Sequence, residues 1–207
     1  MTNAPRLLDK LVSLTAIHDV ELMEFSLLKT LEEFIRPQEL LILKLDRHGR
    51  PCYQLRLRQD SYEITVDDIS IAEEILAAID MVRSTGQSFN RRLTSGAVLT
   101  LWPLLHLKTF EVVLITITAQ PLSKLDLYLV NGMLGVYRNF FTVLNEAQRD
   151  QLTGLANRKT FDDIIHKIST QRPLPTEPVD RERRAACESS LYWLGMADLD
   201  HFKRVND

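Results

Sequence analysis

At 207 residues, 45% of them apolar, the chain has material for one large domain or two small ones, each with a core. A net charge of −3 gives no reason to expect nucleic acid or an anionic membrane as main partner, and Cys52 and Cys187 lack the spacing of a disulfide framework or a zinc site. No charge-free run reaches membrane-spanning length and the N-terminus has no signal-peptide core, so the expectation is a cytoplasmic protein with no membrane span.

Two helices are expected first. Leu7, Leu8, Leu11, Leu14 and Ile17 recur at helical spacing over 7–19, and Leu22, Phe25, Leu28, Leu31 and Phe34 do so over 20–35, where Pro37 stops the run. Residues 40–45 read as a buried strand, turned at Asp46-Arg47-His48-Gly49. Residues 53–58 alternate as a strand with one wet face. Asp67-Asp68-Ile69-Ser70 is expected to open a helix through Val82, closed by Gly86. Strands follow at 88–93, 97–105 and 110–119, the last rich in Val, Ile and Thr.

Ser123 then caps a long helix over 124–149, which has no proline and only two glycines. It carries two apolar stripes with the three-and-four spacing of a heptad. One runs Leu127, Val130, Leu134, Tyr137, Phe141, Leu144; the other runs Leu129, Met133, Val136, Phe140, Val143, Ala147. Either one stripe covers the preceding domain and the other meets a partner helix, or both form a single wide core face. The order of elements predicts an α+β domain, an antiparallel sheet with flanking helices.

Ligand signals in this part are sparse. His18, His48 and His106 lack metal-pair spacing, and Cys52 reads as a small buried hydrophobe. Arg56, Arg58, Arg91 and Arg92 either gather on one sheet face to attract an anion or are solvated strand residues.

The chemistry is concentrated after residue 149. In Asp150-Gln151-Leu152-Thr153-Gly154-Leu155-Ala156-Asn157-Arg158, Gly154 permits a tight turn and Asn157 turns or caps the chain. A helix over 160–168 places Phe161, Ile164, Ile165 and Ile168 on one face. A proline-bearing charged loop leads to an apolar strand at 191–196, which ends in Asp198-Leu199-Asp200-His201-Phe202-Lys203. Carboxylates at a strand's carboxyl end suit Mg²⁺, and a helix start at His201 with Lys203 beside it suits phosphate.

These residues carry two resemblances. Residues 5–148, with Trp102-Pro103-Leu104 before the last strand and Pro121-Leu122-Ser123 after it, resemble a GAF sensor domain in architecture. Asp-x-Leu-Thr-Gly-Leu-x-Asn-Arg followed by Asp-Leu-Asp-His-Phe-Lys-x-Val-Asn-Asp resembles the opening of a GGDEF diguanylate cyclase domain, an α/β fold of nucleotidyl-cyclase type. The resemblance implies a sensor over 1–122, a signalling helix over 123–149 and an incomplete cyclase domain over 150–207. It implies Asp198 and Lys203 as catalytic residues and Asp198 also as metal ligand, with the Leu199 carbonyl as a second ligand to Mg²⁺ or Mn²⁺. It further implies GTP phosphate on the His201 and Phe202 N–H groups and on Lys203, guanine at Asn206, and a structural turn at Asp150 and Arg158. The implied partners are GTP, a second copy of the chain through helix 123–149, and an unidentified small-molecule or protein signal.

The Gly-Gly-Asp/Glu-Glu-Phe turn of that family is missing before Asp207. The resemblance therefore implies the N-terminal part of a longer enzyme, inactive as it stands. The alternative is a non-enzymatic regulatory module, a GAF-like ligand-binding or dimerising domain joined to a degenerate cyclase domain.

Overall fold

In a computed structural model of the chain, the structure describes residues 9–10, 12, 14–17, 19–58, 61–66, 68–170 and 195. Two compact units are formed, residues 1–157 and 158–207. In the first, α1 (Val20–Ile35), β1 (Glu39–Asp46), β2 (Pro51–Arg58), β3 (Ser61–Val66), α2 (Glu73–Thr85), β4 (Phe89–Arg92), β5 (Val98–His106), β6 (Phe110–Thr118) and α3 (Lys124–Ala147) follow in order; α4 (Arg158–Thr170) opens the second. The sheet is six-stranded and antiparallel, in the order β3-β2-β1-β6-β5-β4. This is the α+β arrangement that the element order predicts.

Both faces of the sheet are covered, and that explains why its central strands are apolar almost throughout. On one face Leu40, Ile42, Trp102 and Leu114 meet α1 and α3 in the larger core. On the other, Leu41, Leu43, Leu101 and Ile115 meet Ala78, Ile79 and Val82 of α2. Helix α1 starts at Asp19, whose carboxylate accepts from the Glu21 and Leu22 N–H groups. It stops at Arg36, left-handed at φ 44°, one residue before Pro37. Ahead of it Asp9, Lys10, Val12, Leu14 and Thr15 are helical, with Leu14 buried in the larger core. Leu7, Leu8 and Leu11 of that expected helix lie outside the described residues.

Three expectations need correction. Strand β3 was not anticipated: its apolar members Tyr62, Ile64 and Val66 are exposed on an edge strand, so their alternation marks no buried face. Helix α2 starts at Glu73 rather than near Asp67, because Asp68 takes φ 46° and Ile69 and Ile71 pack on the smaller core as lead-in chain. Strand β2 has no fully wet face, since Gln54 is 4% exposed.

The α1/α3 face also decides between the two readings of the long helix. Val130, Leu134, Tyr137, Phe141 and Leu144 of the first stripe are buried, and so is Met133 of the second. Leu129, Val136 and Phe140 are partly buried against the same core. One broad face thus serves the sheet, and the stripe from Val130 to Leu144 is no free seam. Only a flank remains open, where Leu125 is 72% and Val143 59% exposed. At the start of α3, Ser123 and Asp126 form a reciprocal capping box, with the Asp126 N–H on Ser123 Oγ at 3.2 Å and the Ser123 N–H on Asp126 Oδ2 at 3.0 Å.

Candidate functional site

Two neighbouring residues hold the middle of α3 by polar contacts, one on each side. Tyr137 points into the core and donates from its hydroxyl to Glu24 Oε1 at 3.1 Å. Glu24 on α1 is 1% exposed, and Lys44 of β1 meets the same oxygen at 3.0 Å. Lys44 Nζ also stands 4.3 Å from the ring centre of Tyr53. Burial pushes the Glu24 carboxyl above its ordinary range, with Lys44 and Tyr137 pulling it partly back. Burial and the nearby Glu24 raise both the Tyr137 and Tyr53 hydroxyls, so each stays protonated. This cluster ties α1, β1 and α3 together.

On the other side Arg138 reaches the sheet edge. Its Nη2 donates to the Pro103 carbonyl at 2.7 Å and its Nε to the Leu104 carbonyl at 3.0 Å. Those carbonyls are free because β4 pairs with β5 only as far as Phe89 opposite Leu101. A bulge between Pro103 and Leu105 turns two successive carbonyls toward α3, and Pro103 has no N–H to leave unpaired on an edge. Here a cleft of about 670 Å³ opens, lined by Gln87, His106, Asn131, Arg138 and Asn145 above Trp102.

At its far end α3 runs into the Asp150 loop. Asp150 Oδ1 accepts from the Leu152 N–H at 3.2 Å, the Thr153 N–H at 2.9 Å and the Thr153 hydroxyl at 2.8 Å. Gly154, at φ 70°, donates its N–H to the Asp150 carbonyl at 2.8 Å. Asn157 returns to the helix end, its side-chain amide on the Ala147 carbonyl at 2.7 Å and its N–H on the Gln148 carbonyl at 2.9 Å. Arg149 Nη1 closes the ring on the Gly154 carbonyl at 2.6 Å. The motif thus satisfies carbonyls that a helix end leaves open.

The Thr153 and Leu152 donors hold the Asp150 carboxyl below the usual carboxylate range. A depressed carboxylate contributes stability that is present above its unfolded value and lost as pH falls through the folded one. The loop is therefore expected to keep its contacts through the ordinary aspartate range and to lose them only as pH falls below it. Asp150→Ala is expected to speed amide exchange of Leu152, Thr153 and Gly154 at neutral pH; unchanged exchange there would remove Asp150 from this role.

Of the residues singled out in the sequence, Asp150 forms the turn and Arg158 begins α4. Asp198, Leu199, His201, Phe202, Lys203 and Asn206 lie outside the described residues, as do the strand expected at 191–196 and Cys187. The four arginines do not gather: Arg56 and Arg58 lie on β2 and Arg91 and Arg92 on β4, with three strands between. Arg56 Nε stands 3.1 Å from Glu39 Oε1 but off the hydrogen-bond axis, so the contact is an ion pair by distance. His48 is exposed in its turn, and the half-buried Cys52 thiol lies 3.5 Å from the Lys44 carbonyl. Among the described residues no group of three His, Cys, Asp or Glu side chains is placed to hold a metal ion.

Glu24 and Arg138 escaped sequence reading. Glu24 had a signal, since it shares a helical face with Leu27, Leu28 and Leu31. Arg138 had none, because its partners are backbone carbonyls exposed by a bulge.

The described fold and cleft thus define an α+β domain with one long helix leaving its sheet. No family model and no curated protein matches the sequence. One similar solved structure is that of a GAF domain/HD domain protein from Geobacter sulfurreducens, at 8% identity over 60% of this chain and 93% of that chain, with a TM-score of 0.44. The architecture stated above rests on the described strands and helices themselves.

Proposed function

We propose that the chain is the sensor and connector of a signal-regulated diguanylate cyclase. A GAF-like module precedes α3, and α3 delivers its output to a cyclase domain that begins at the Asp150 loop. The observation carrying this reading is that loop. The run Asp-x-Leu-Thr-Gly-Leu-x-Asn-Arg, which resembles the opening of a GGDEF domain, folds as a self-bonded ring on the last turn of a helix embedded in the preceding sheet. Movement of α3 would then be felt directly at the start of the catalytic region.

In this reading two GTP molecules condense. Each 3′-hydroxyl attacks the α-phosphorus of the other nucleotide, giving cyclic di-GMP and two pyrophosphates. Asp198 and the Leu199 carbonyl supply the hard oxygen donors that suit Mg²⁺ or Mn²⁺, and the metal when bound stabilises charge on the transferring phosphate. The His201 and Phe202 N–H groups and Lys203 hold phosphate, and Asn206 reads guanine. Each protomer brings one GTP, so activity needs two copies. The open flank of α3, with Leu125 and Val143 exposed beside half-buried Leu129, Val136 and Phe140, supports pairing of α3 with its copy.

The test is made on the protein whose chain continues through the Gly-Gly-Asp/Glu-Glu-Phe turn. Incubation with GTP and Mg²⁺ is expected to yield cyclic di-GMP. Specific binding of a ligand with GTP left unconsumed in every dimeric preparation favours the non-enzymatic module.

A further inference from the structure

We propose that Arg138 is a releasable clasp that sets how firmly the C-terminal half of α3 is held to the sheet. Phe141 and Leu144, one and two turns beyond Arg138, stay in the same core as Val130, Leu134 and Tyr137, so the guanidinium on Pro103 and Leu104 is the polar fastening nearest the C-terminal half of the helix.

The two polar fastenings differ in access. The Tyr137–Glu24–Lys44 cluster is sealed between α1 and the sheet, with Glu24 and Tyr137 shielded from solvent. Arg138 is only partly buried and forms part of the wall of the cleft, which His106, Gln87 and Asn145 also line. Its partners are neutral carbonyls that lack a strand neighbour on that edge, so letting go leaves groups that water can reach and satisfy. Release of Tyr137 would instead take a hydrogen bond from a buried carboxylate whose second oxygen has no hydrogen-bond partner, leaving it to Lys44 alone. Tyr137 is thus the fixed pivot and Arg138 the side that opens. Opening frees Phe141 to Ala147 and, through the Asn157 and Arg149 contacts, the Asp150 loop.

The clasp rests on the reading of α3 as a connector, but its test needs no cyclase activity. Amide hydrogen exchange is measured on this chain. Arg138→Ala is expected to speed exchange over 139–147 and 150–157 about tenfold or more, leaving the β1 and β6 amides within about twofold of the parent, because segments open locally at free energies below global unfolding. Arg138→Lys, which keeps the charge but not the two-pronged geometry, is expected to loosen the same segments to a smaller extent and carries the test if the alanine variant does not fold. Tyr137→Phe is expected to spread the change to α1 instead. Unchanged exchange in both Arg138 variants, or uniform acceleration that includes β1 and β6, overturns the clasp. Cyclic di-GMP synthesis failing while this local pattern appears would discard the cyclase and keep the clasp.

Discussion

Asp198→Ala, made in the protein with its whole cyclase region, is expected to reduce cyclic di-GMP formation about 10³-fold or more while leaving the far-ultraviolet dichroism unchanged. The size follows from what the carboxylate is asked to do. A metal ion contributes several kcal/mol of charge stabilisation at a transferring phosphoryl group, and each ~1.4 kcal/mol is about tenfold in rate. Alanine removes an anionic oxygen ligand, and a neutral carbonyl oxygen does not replace its charge. If, as proposed, the His201 and Phe202 N–H groups and Lys203 hold phosphate, the effect should fall on turnover more than on nucleotide affinity. Raising Mg²⁺ or substituting Mn²⁺ should restore only part of the loss. Parent-like turnover in the variant would take Asp198 out of the metal site.

Trp102→Ala is expected to cost about 3–5 kcal/mol of folding stability, read from urea unfolding. Trp102 is 2% exposed, stands opposite Leu114 in the β5–β6 ladder and faces α1 and α3 in the larger core. Removing the indole leaves a void in the core directly beneath the cleft, and the side chains around it lose their contacts on that side. Against a domain stability of roughly 5–15 kcal/mol this is a large fraction, so part of the population should unfold near 37 °C. An unchanged denaturant slope would show that the loss acts on the folded state. A cost below about 1 kcal/mol would mean that the core does not depend on this side chain.

The sequence revealed those parts of the fold whose burial is governed by period. Strands β1, β5 and β6 are apolar on both faces because helices cover both, and the Ser123 cap of α3 is a local pattern with a local cause. Strand β3 was hidden because its apolar residues serve an exposed edge. The α2 start was misread because Asp67-Asp68-Ile69-Ser70 has the composition of a cap, whereas Ile69 and Ile71 are drawn to the smaller core before the helix begins. The two stripes of α3 could not be separated by spacing, since a broad core face and a coiled-coil seam share it; the depth of the sheet beneath decides.

The candidate site divides in the same way. The Asp150 turn, expected from the resemblance alone, is built from donors within a few residues of Asp150. The Arg138 clasp depends on where β4 stops and where β5 bulges, and no feature of the residues around Arg138 encodes either. The Glu24–Tyr137 contact joins residues 113 positions apart, so only the folded sheet brings it about.

Product analysis decides whether this chain serves a cyclase. A protein that carries this chain and continues through a Gly-Gly-Asp/Glu-Glu-Phe turn, held as a dimer and given GTP with Mg²⁺, is predicted to release two pyrophosphates for each cyclic di-GMP, detected by mass spectrometry. A folded, dimeric preparation that binds GTP yet forms neither product contradicts it.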